Sequence, residues 1–307
     1  MFAPIVLFVY NRPWHTEQTI KLLSMNLSAN ESDLIIYSDA PKNNDDIENV
    51  NSVRHIIKNI IGFKYIKIIE REQNLGLANS IIDGVTNIVN TYGRVIVLED
   101  DIITSRFFLT YMNNALDIYE YNENVISIHG YTFPVKKNLP DYFFLRGADC
   151  WGWATWKRGW DLFNPDSQFL LNEIEKQKLN KLFNFNNSYD YVGMLKLQKE
   201  GKISSWAIRW YASAFIANKF TLYPGNSYVN NIGLDGSGTN CGYTGNYNIE
   251  ITKIFKPIPK LNVKDNLKAR KEFTKYFLVQ RKNSKLKLLY RVKRKMIYIL
   301  NKFNQFL

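Results

Sequence analysis

Two cysteines, Cys150 and Cys241, and three histidines, His15, His55 and His129, are all that 307 residues hold of the side chains typical of zinc sites. They are too few and too scattered for a Cys/His metal motif. The chain also has no phosphate-binding G-x-x-x-x-G-K-S/T loop and no G-x-S-x-G nucleophile turn. Long hydrophobic runs are missing: no stretch approaches the roughly 20 apolar residues of a spanning helix. The opening MFAPIVLFVYNRP lacks a basic n-region, and its apolar run ends in a polar loop, so it does not read as a signal peptide. Two reduced thiols in the cytoplasm are therefore expected.

What the chain does have is charge concentrated at one end. Its formal net charge is +12. From Lys253 onward, 17 Lys and Arg face only Asp265 and Glu272, a net +15, which leaves −3 for everything before. The body is near neutral, and the basic tail points to something anionic. No reader module for nucleic acid accompanies it. An aromatic share of 15% leaves rings for stacking on flat or ring-shaped ligands beside those that pack the core.

Apolar runs alternate with helical spacing through the first hundred residues. Ile5–Tyr10, Leu34–Tyr37, Tyr65–Ile69 and Val95–Leu98 read as strands, and the first reads as buried on both faces. Thr16–Met25, 47–61 and Leu77–Val89 between them read as helices. That alternation predicts a mostly parallel α/β sheet flanked by helices. Ligands of such sheets sit beyond the carboxyl ends of the strands, where this sequence places Asn11, Arg12, Asp39 and the acidic triplet Glu99-Asp100-Asp101. Past residue 102 the pattern loosens. Helices are expected at Phe107–Tyr119 and Asp190–Glu200, on either side of the tryptophan block Trp151, Trp153, Trp156 and Trp160.

Three adjacent carboxylates repel one another at a crowded strand end. A divalent cation would relieve that repulsion and could bridge a nucleotide diphosphate as a leaving group. At this point VIVLEDD resembles the acidic metal motif of GT-A glycosyltransferases. The resemblance is to bacterial sugar transferases distantly related to the eukaryotic N-acetylglucosaminyltransferase that begins N-glycan branching, and to family 2 glycosyltransferases. PIVLFVYNRP, NLGLANSIIDGV, RGADCWGWATWKRGW, SWAIRWYAS and LYPGNSYVNNIGLDGSGT extend it over most of residues 1–242.

The resemblance implies a GT-A domain over residues 1–252, with a nucleotide-binding half at 1–101 and an acceptor half at 102–252. A basic helical extension, 253–307, would follow. Arg12 and Asp39 would hold the uracil and ribose. Glu99 and Asp100 would lie beside the nucleotide, Asp100 near the ribose, and Asp101 would ligate Mn²⁺ or Mg²⁺. For the general base of an inverting transfer, Asp190 keeps the Asp of a Glu-Asp pair that opens a helix, although Tyr189 stands where the Glu would be. Asp149 is the rival, and an N-cap is the alternative for Asp190. Arg209 could meet a phosphate. Asp235-Gly-Ser-Gly-Thr-Asn240 could cradle a diphosphate on its amides, but Asn240 replaces a His that relatives often carry, which leaves a third metal ligand open. Trp156 and Trp160 are expected in a hydrophobic hub.

The function expected is transfer of a hexosyl or N-acetylhexosaminyl group from a nucleotide-sugar donor, UDP-linked as the resemblance implies, to a surface glycan or lipid-linked glycan. Two other classes stay open: a metal-dependent nucleotidyltransferase or phosphohydrolase, and a non-catalytic anion binder. In 285–307, Leu289, Val292, Met296, Ile299, Leu300, Phe303 and Leu307 share a helical face, with Lys287, Arg291, Arg294, Lys295 and Lys302 mostly opposite. That pattern suits a helix lying on an anionic membrane surface.

Overall fold

The computed structural model describes residues 2–238 and 245–283. The expectations for Asn240, Cys241 and the amphipathic stretch 285–307 lie outside the described residues.

The first half follows the predicted alternation: β1 (Ile5–Val9), α1 (Pro13–Ser24), β2 (Asp33–Ser38), α2 (Ile47–Lys58), β3 (Tyr65–Glu70), α3 (Gly76–Tyr92) and β4 (Arg94–Glu99). The first helix starts earlier than its apolar spacing suggests. Pro13 occupies its first turn, where a missing N–H costs nothing. Gly93, at φ +78°, ends α3 in the left-handed conformation and donates its N–H to the Val89 carbonyl. β5 (Ile102–Thr104), α4 (Phe108–Ile118), β6 (Val125–His129), β7 (Tyr142–Arg146) and β8 (Trp153–Trp156) come next. α5 (Lys157–Trp160), α6 (Ser167–Lys176), α7 (Asn180–Phe183), α8 (Tyr191–Lys199), α9 (Trp206–Ile216), β9 (Phe220–Pro224) and β10 (Val229–Asn231) complete the named elements. Residues 267–283 form a further helix.

Eight strands make one sheet in the order β3-β2-β1-β4-β8-β6-β9-β7, and β10 pairs with β5 in a second, two-stranded sheet. The pairs β1–β2, β1–β4, β2–β3 and β6–β9 are parallel, while β8 and β7 run against their neighbours. The protein is thus the mostly parallel, helix-flanked α/β fold its sequence predicts. The tryptophan block supplies β8, a strand the sequence pattern did not reveal. Its register, Val97 opposite Trp153 and Arg94 opposite Trp156, knits the two halves into a continuous sheet.

Two apolar layers cover the sheet. Along β4, Ile96 and Leu98 enter the layer built with α1, α2 and α4, whereas Val95 and Val97 enter the layer built with α3, α5 and α9. A third cluster lies outside β7 and β9. It includes Phe183, Leu195 and Tyr211, and also Ala269, Phe273 and Phe277 from the last helix.

The basic stretch from 253 is, as far as 283, packed on the body. Ile258 joins the first layer, and Phe273 is wholly buried. Asp265 bonds to the Arg146 amide and to the buried Arg270 guanidinium, and the Asn266 amide donates to the Phe144 carbonyl. None of the helices among the described residues is long and apolar enough to cross a membrane.

Candidate active site

The strand order 3-2-1-4 reverses direction between β1 and β4, which opens a crevice beyond their carboxyl ends. Arg12 leaves β1 on one side of it, and Asp100 and Asp101 leave β4 on the other. Successive side chains of a strand point to opposite faces, so the triplet is divided. Glu99 follows Val97 toward α9, where the Trp206 indole donates to its carboxylate. Asp100 and Asp101 turn to the α1 side. Three carboxylates in a row are therefore split between two faces, although Glu99 still feels the charge of both aspartates.

Arg12 is ion-paired with both aspartates. One guanidinium nitrogen, Nη2, contacts Asp100 Oδ1 and lies 3.0 Å from Asp101 Oδ2. Burial works against the Arg12 charge, but the two carboxylates outweigh it and raise its pKa. In this structure Arg12 neutralises the acids, a role in addition to the nucleotide contact expected of it. Backbone bonds fix the pair. Thr19 Oγ1 donates to the Asp100 carbonyl at 2.8 Å, and the Ile232 amide donates to that of Asp101 at 2.8 Å. Desolvation, with Asp101 beside it and Arg12 opposing, pushes Asp100 up to about 6. Desolvation, then the charges of Asp101 and Asp100, pushes Glu99 up to about 8.

The residues fit a divalent cation of a particular kind. Among the described residues no three His, Cys, Asp or Glu side chains converge as a metal cage. Yet Asp101 Oδ1 is buried without any hydrogen-bond partner, and an orphaned carboxylate oxygen of this sort is costly unless a ligand meets it. Mg²⁺, and Mn²⁺ with the same oxygen preference, can be held by one or two carboxylates with water and substrate phosphates completing the shell. Gly233 covers the same carboxylate so closely that a Cβ there would stand 2.1 Å from Asp101 Oδ2 and 2.7 Å from Arg12 Nη1.

The Gly-rich loop that begins at Gly233 is fastened by a contact the sequence did not reveal. Asp235 Oδ2 lies 3.1 Å from His15 Nε2 on α1, and Asp235 Oδ1 accepts from the Ser237 amide and hydroxyl. Those Ser237 bonds, ahead of the His15 contact, hold the Asp235 carboxyl down at about 2. The D-x-S pattern was visible; its partner, 220 residues earlier, was not.

The other expected site residues divide. Asp39 is buried, and its carboxylate accepts from the amides of Ala40, Leu75 and Gly76. It ties the end of β2 to the first turn of α3, a role in addition to the nucleotide contact expected of it. Asp190 is exposed and caps α8, accepting from the Gly193 amide at 2.9 Å. Gly193 leaves no space for a Cβ below that carboxylate.

Asp149 sits at the ligand end of the sheet. Strand register sets Trp153 against both Val97 and His129, so the chain just before β8 passes the ends of β4 and β6. There Asp149 Oδ2 accepts a long bond from the Tyr223 hydroxyl, and Oδ1 lies 3.8 Å from His129 Nε2. His129 is fully buried, accepts from the Trp151 amide, and has its pKa lowered by burial against the opposing pull of Asp149. Sequence reading took this histidine only as too isolated for a Cys/His metal motif.

Of the tryptophans, Trp160 joins Trp153, Trp206 and Trp210 in one buried stack, as a hub requires. Trp156 is buried on the other face, beneath the Arg158 guanidinium. Trp151 is only partly buried, edge-on to Tyr131 and Tyr247, and keeps part of its surface for a ligand. Arg209 on α9 is nine-tenths buried beside Phe163.

No family model matches the sequence, and no curated protein matches it. Three solved structures show slight likenesses. The first is the mannosyltransferase PcManGT from Pyrobaculum calidifontis in complex with GDP-Man and Mn²⁺: 11% identity, 44% of this chain and 37% of that one, TM-score 0.33. S. aureus TarS gives 12% identity over 46% of this chain and 23% of its own, TM-score 0.30. TarS residues 1–349 give 9% over 74% and 59%, TM-score 0.37. The chain therefore matches less than two thirds of each of these proteins. Likenesses of this size carry no weight for substrate or mechanism.

Proposed function

We propose that the protein is a glycosyltransferase that moves a sugar from a nucleotide diphosphate donor to a glycan or lipid-linked glycan, with a divalent cation at Asp101. The observation that carries this reading is the orphaned, buried Asp101 Oδ1 at the crevice where the parallel strand order reverses. The cation supplies charge to offset that of a departing diphosphate. The chain's own groups do the rest. The Asp100–Arg12–Asp101 pairing holds the carboxylates in one orientation, and Gly233 closes the backbone over them. Asp39, at the end of β2, has about one lone pair left, on Oδ2, beyond its three amide bonds, and can also accept from a nucleotide there.

An acceptor hydroxyl must lose a proton as the anomeric carbon is attacked, and a carboxylate is the fitting base. Asp149 is favoured by its place at the strand ends. Asp190 is favoured by the family resemblance and by its exposed position at the head of α8, where only Oδ1 is used by the cap. Inversion, UDP as the nucleotide, and a peripheral place on the cytoplasmic face of a membrane belong to the same proposal. The last is supported by the charge of the tail.

The deciding experiment is calorimetric titration of UDP with and without Mn²⁺ into the wild-type chain and Asp101→Ala. Binding that needs Mn²⁺ and vanishes in the variant, at an unchanged circular-dichroism spectrum, is expected. Equal UDP binding by both proteins would remove Asp101 from the metal site.

A further inference from the structure

Two arginines flank the carboxyl end of β4, and their circumstances differ. Arg12, on the α1 face, is paired with two carboxylates. Arg209, on the α9 face, is 9% exposed and has no ion pair among the described residues. Its one bond is Nε–H to the Ser205 carbonyl at 3.1 Å, which leaves four guanidinium N–H groups. Burial alone acts on its charge, drawing its pKa down. A buried cation without an anionic partner is unfavourable unless an anion reaches it.

The surroundings are built to receive one. Ser205 is the N-cap of α9, an 11-residue helix, and its hydroxyl accepts the Ile208 amide. The amides of Trp206 and Ala207 in the same first turn have no intrahelical acceptor. The Nε bond to the Ser205 carbonyl holds the Arg209 side chain along the first turn, toward the helix end where the dipole also favours an anion. The Trp206 indole N–H is already given to Glu99, which ties this turn to the edge of the crevice.

We propose that the first turn of α9 with Arg209 is a second oxyanion subsite, which takes a phosphate or carboxylate carried by the acceptor and works without the metal. The separation of the two arginines to opposite faces of β4 sets it apart from the donor diphosphate, which belongs with Asp101. The proposal rests on the glycosyltransferase reading for the word acceptor, but not for the subsite itself.

The test uses the full chain and inorganic phosphate as probe, followed by the chemical shift of the Trp206 indole N–H and by calorimetry in metal-free buffer. Phosphate should bind wild type and Asp101→Ala alike, weaken at least tenfold in Arg209→Gln, and weaken less in Arg209→Lys. Acetate in a parallel titration tells whether a carboxylate serves as well. Arg209→Gln should keep its melting temperature, or raise it, since an unpaired buried charge is removed. Mn²⁺-dependent UDP binding should be unchanged in Arg209→Gln. If UDP binding falls with phosphate binding, Arg209 belongs to the donor diphosphate and the proposal fails. Phosphate binding unaffected by Arg209→Gln would overturn it too. Loss of the donor reading would show only in the UDP arm.

Discussion

Gly233→Ala is the sharpest test of the site, because its effect can be worked from one distance. An added Cβ would lie 2.1 Å from Asp101 Oδ2, roughly 0.9 Å short of the 3.0 Å that real Cβ contacts keep. The backbone at Gly233 is outside the left-handed region, so alanine brings no torsional strain there. The whole effect is steric. Asp101 cannot swing away freely: it is 8% exposed, the same Oδ2 is paired with Arg12, and its carbonyl is bonded to Ile232. Either the carboxylate or the loop start must then move by about 1 Å, and a displacement of that size can lower a rate by about 10²-fold. We expect Gly233→Ala to lose about 10²-fold in kcat and most Mn²⁺-dependent UDP affinity, with little change in melting temperature. Gly245→Ala is the control, since nothing lies within 4 Å of its Cβ position. Wild-type turnover and metal-dependent binding in Gly233→Ala would refute the placement of the metal at Asp101.

Three further outcomes are expected. Of Asp149→Asn and Asp190→Asn, the variant that removes the general base should lose about 10²-fold or more in kcat at unchanged donor affinity; single-turnover kinetics on both assigns the role, and two near-normal variants would exclude both. Phe273→Ala should cost about 3–5 kcal/mol in urea unfolding, because Phe273 is wholly buried in the third cluster. A chain cut after 283 should by contrast keep that cluster, and should lose flotation with anionic vesicles if 284–307 is the membrane contact. His129 gives a pH signature. Its folded pKa lies below the ordinary 6.5, so the unfolded chain takes up a proton first on acidification. Stability contributed by neutral His129 is full above about pH 6.5 and lost as pH falls toward the folded value, and urea midpoints at pH 7.5 and 5.5 should differ less in His129→Gln.

The first hundred residues were legible because their signals are local. Continuous apolar runs such as IVLFV and VIVL, set between helical periods, leave little choice but a buried parallel sheet. The residues after 102 were less so. WATW in the tryptophan block is a strand, but four residues among other large rings give no period to read. Contacts between partners distant in sequence were not legible. Asp39 caps a helix that starts 37 residues later, Arg12 meets Asp100 across 88 residues, and His15 meets Asp235 across 220. The division of Glu99 from Asp100 follows from strand alternation alone and could have been read from VIVLEDD. In the basic stretch, nothing in the pattern marked Phe273 and Phe277, among the lysines, as core residues of the body.

The alternation along β4 ties chemistry to phase. Glu99 and Asp100 differ by one residue, yet one faces a wall of indoles and the other a wall of charge. A one-residue insertion or deletion upstream in β4 would exchange the walls, burying Asp100 against tryptophan and turning Glu99 toward Arg12. Parallel pairing to β1, Ile5 against Ile96, and antiparallel pairing to β8, Val97 against Trp153, both resist such a slip. The surrounding loops can change length without disturbing this phase. The strand cannot, so in any variant of this scaffold the spacing from Arg94 to Asp101 is the quantity to conserve.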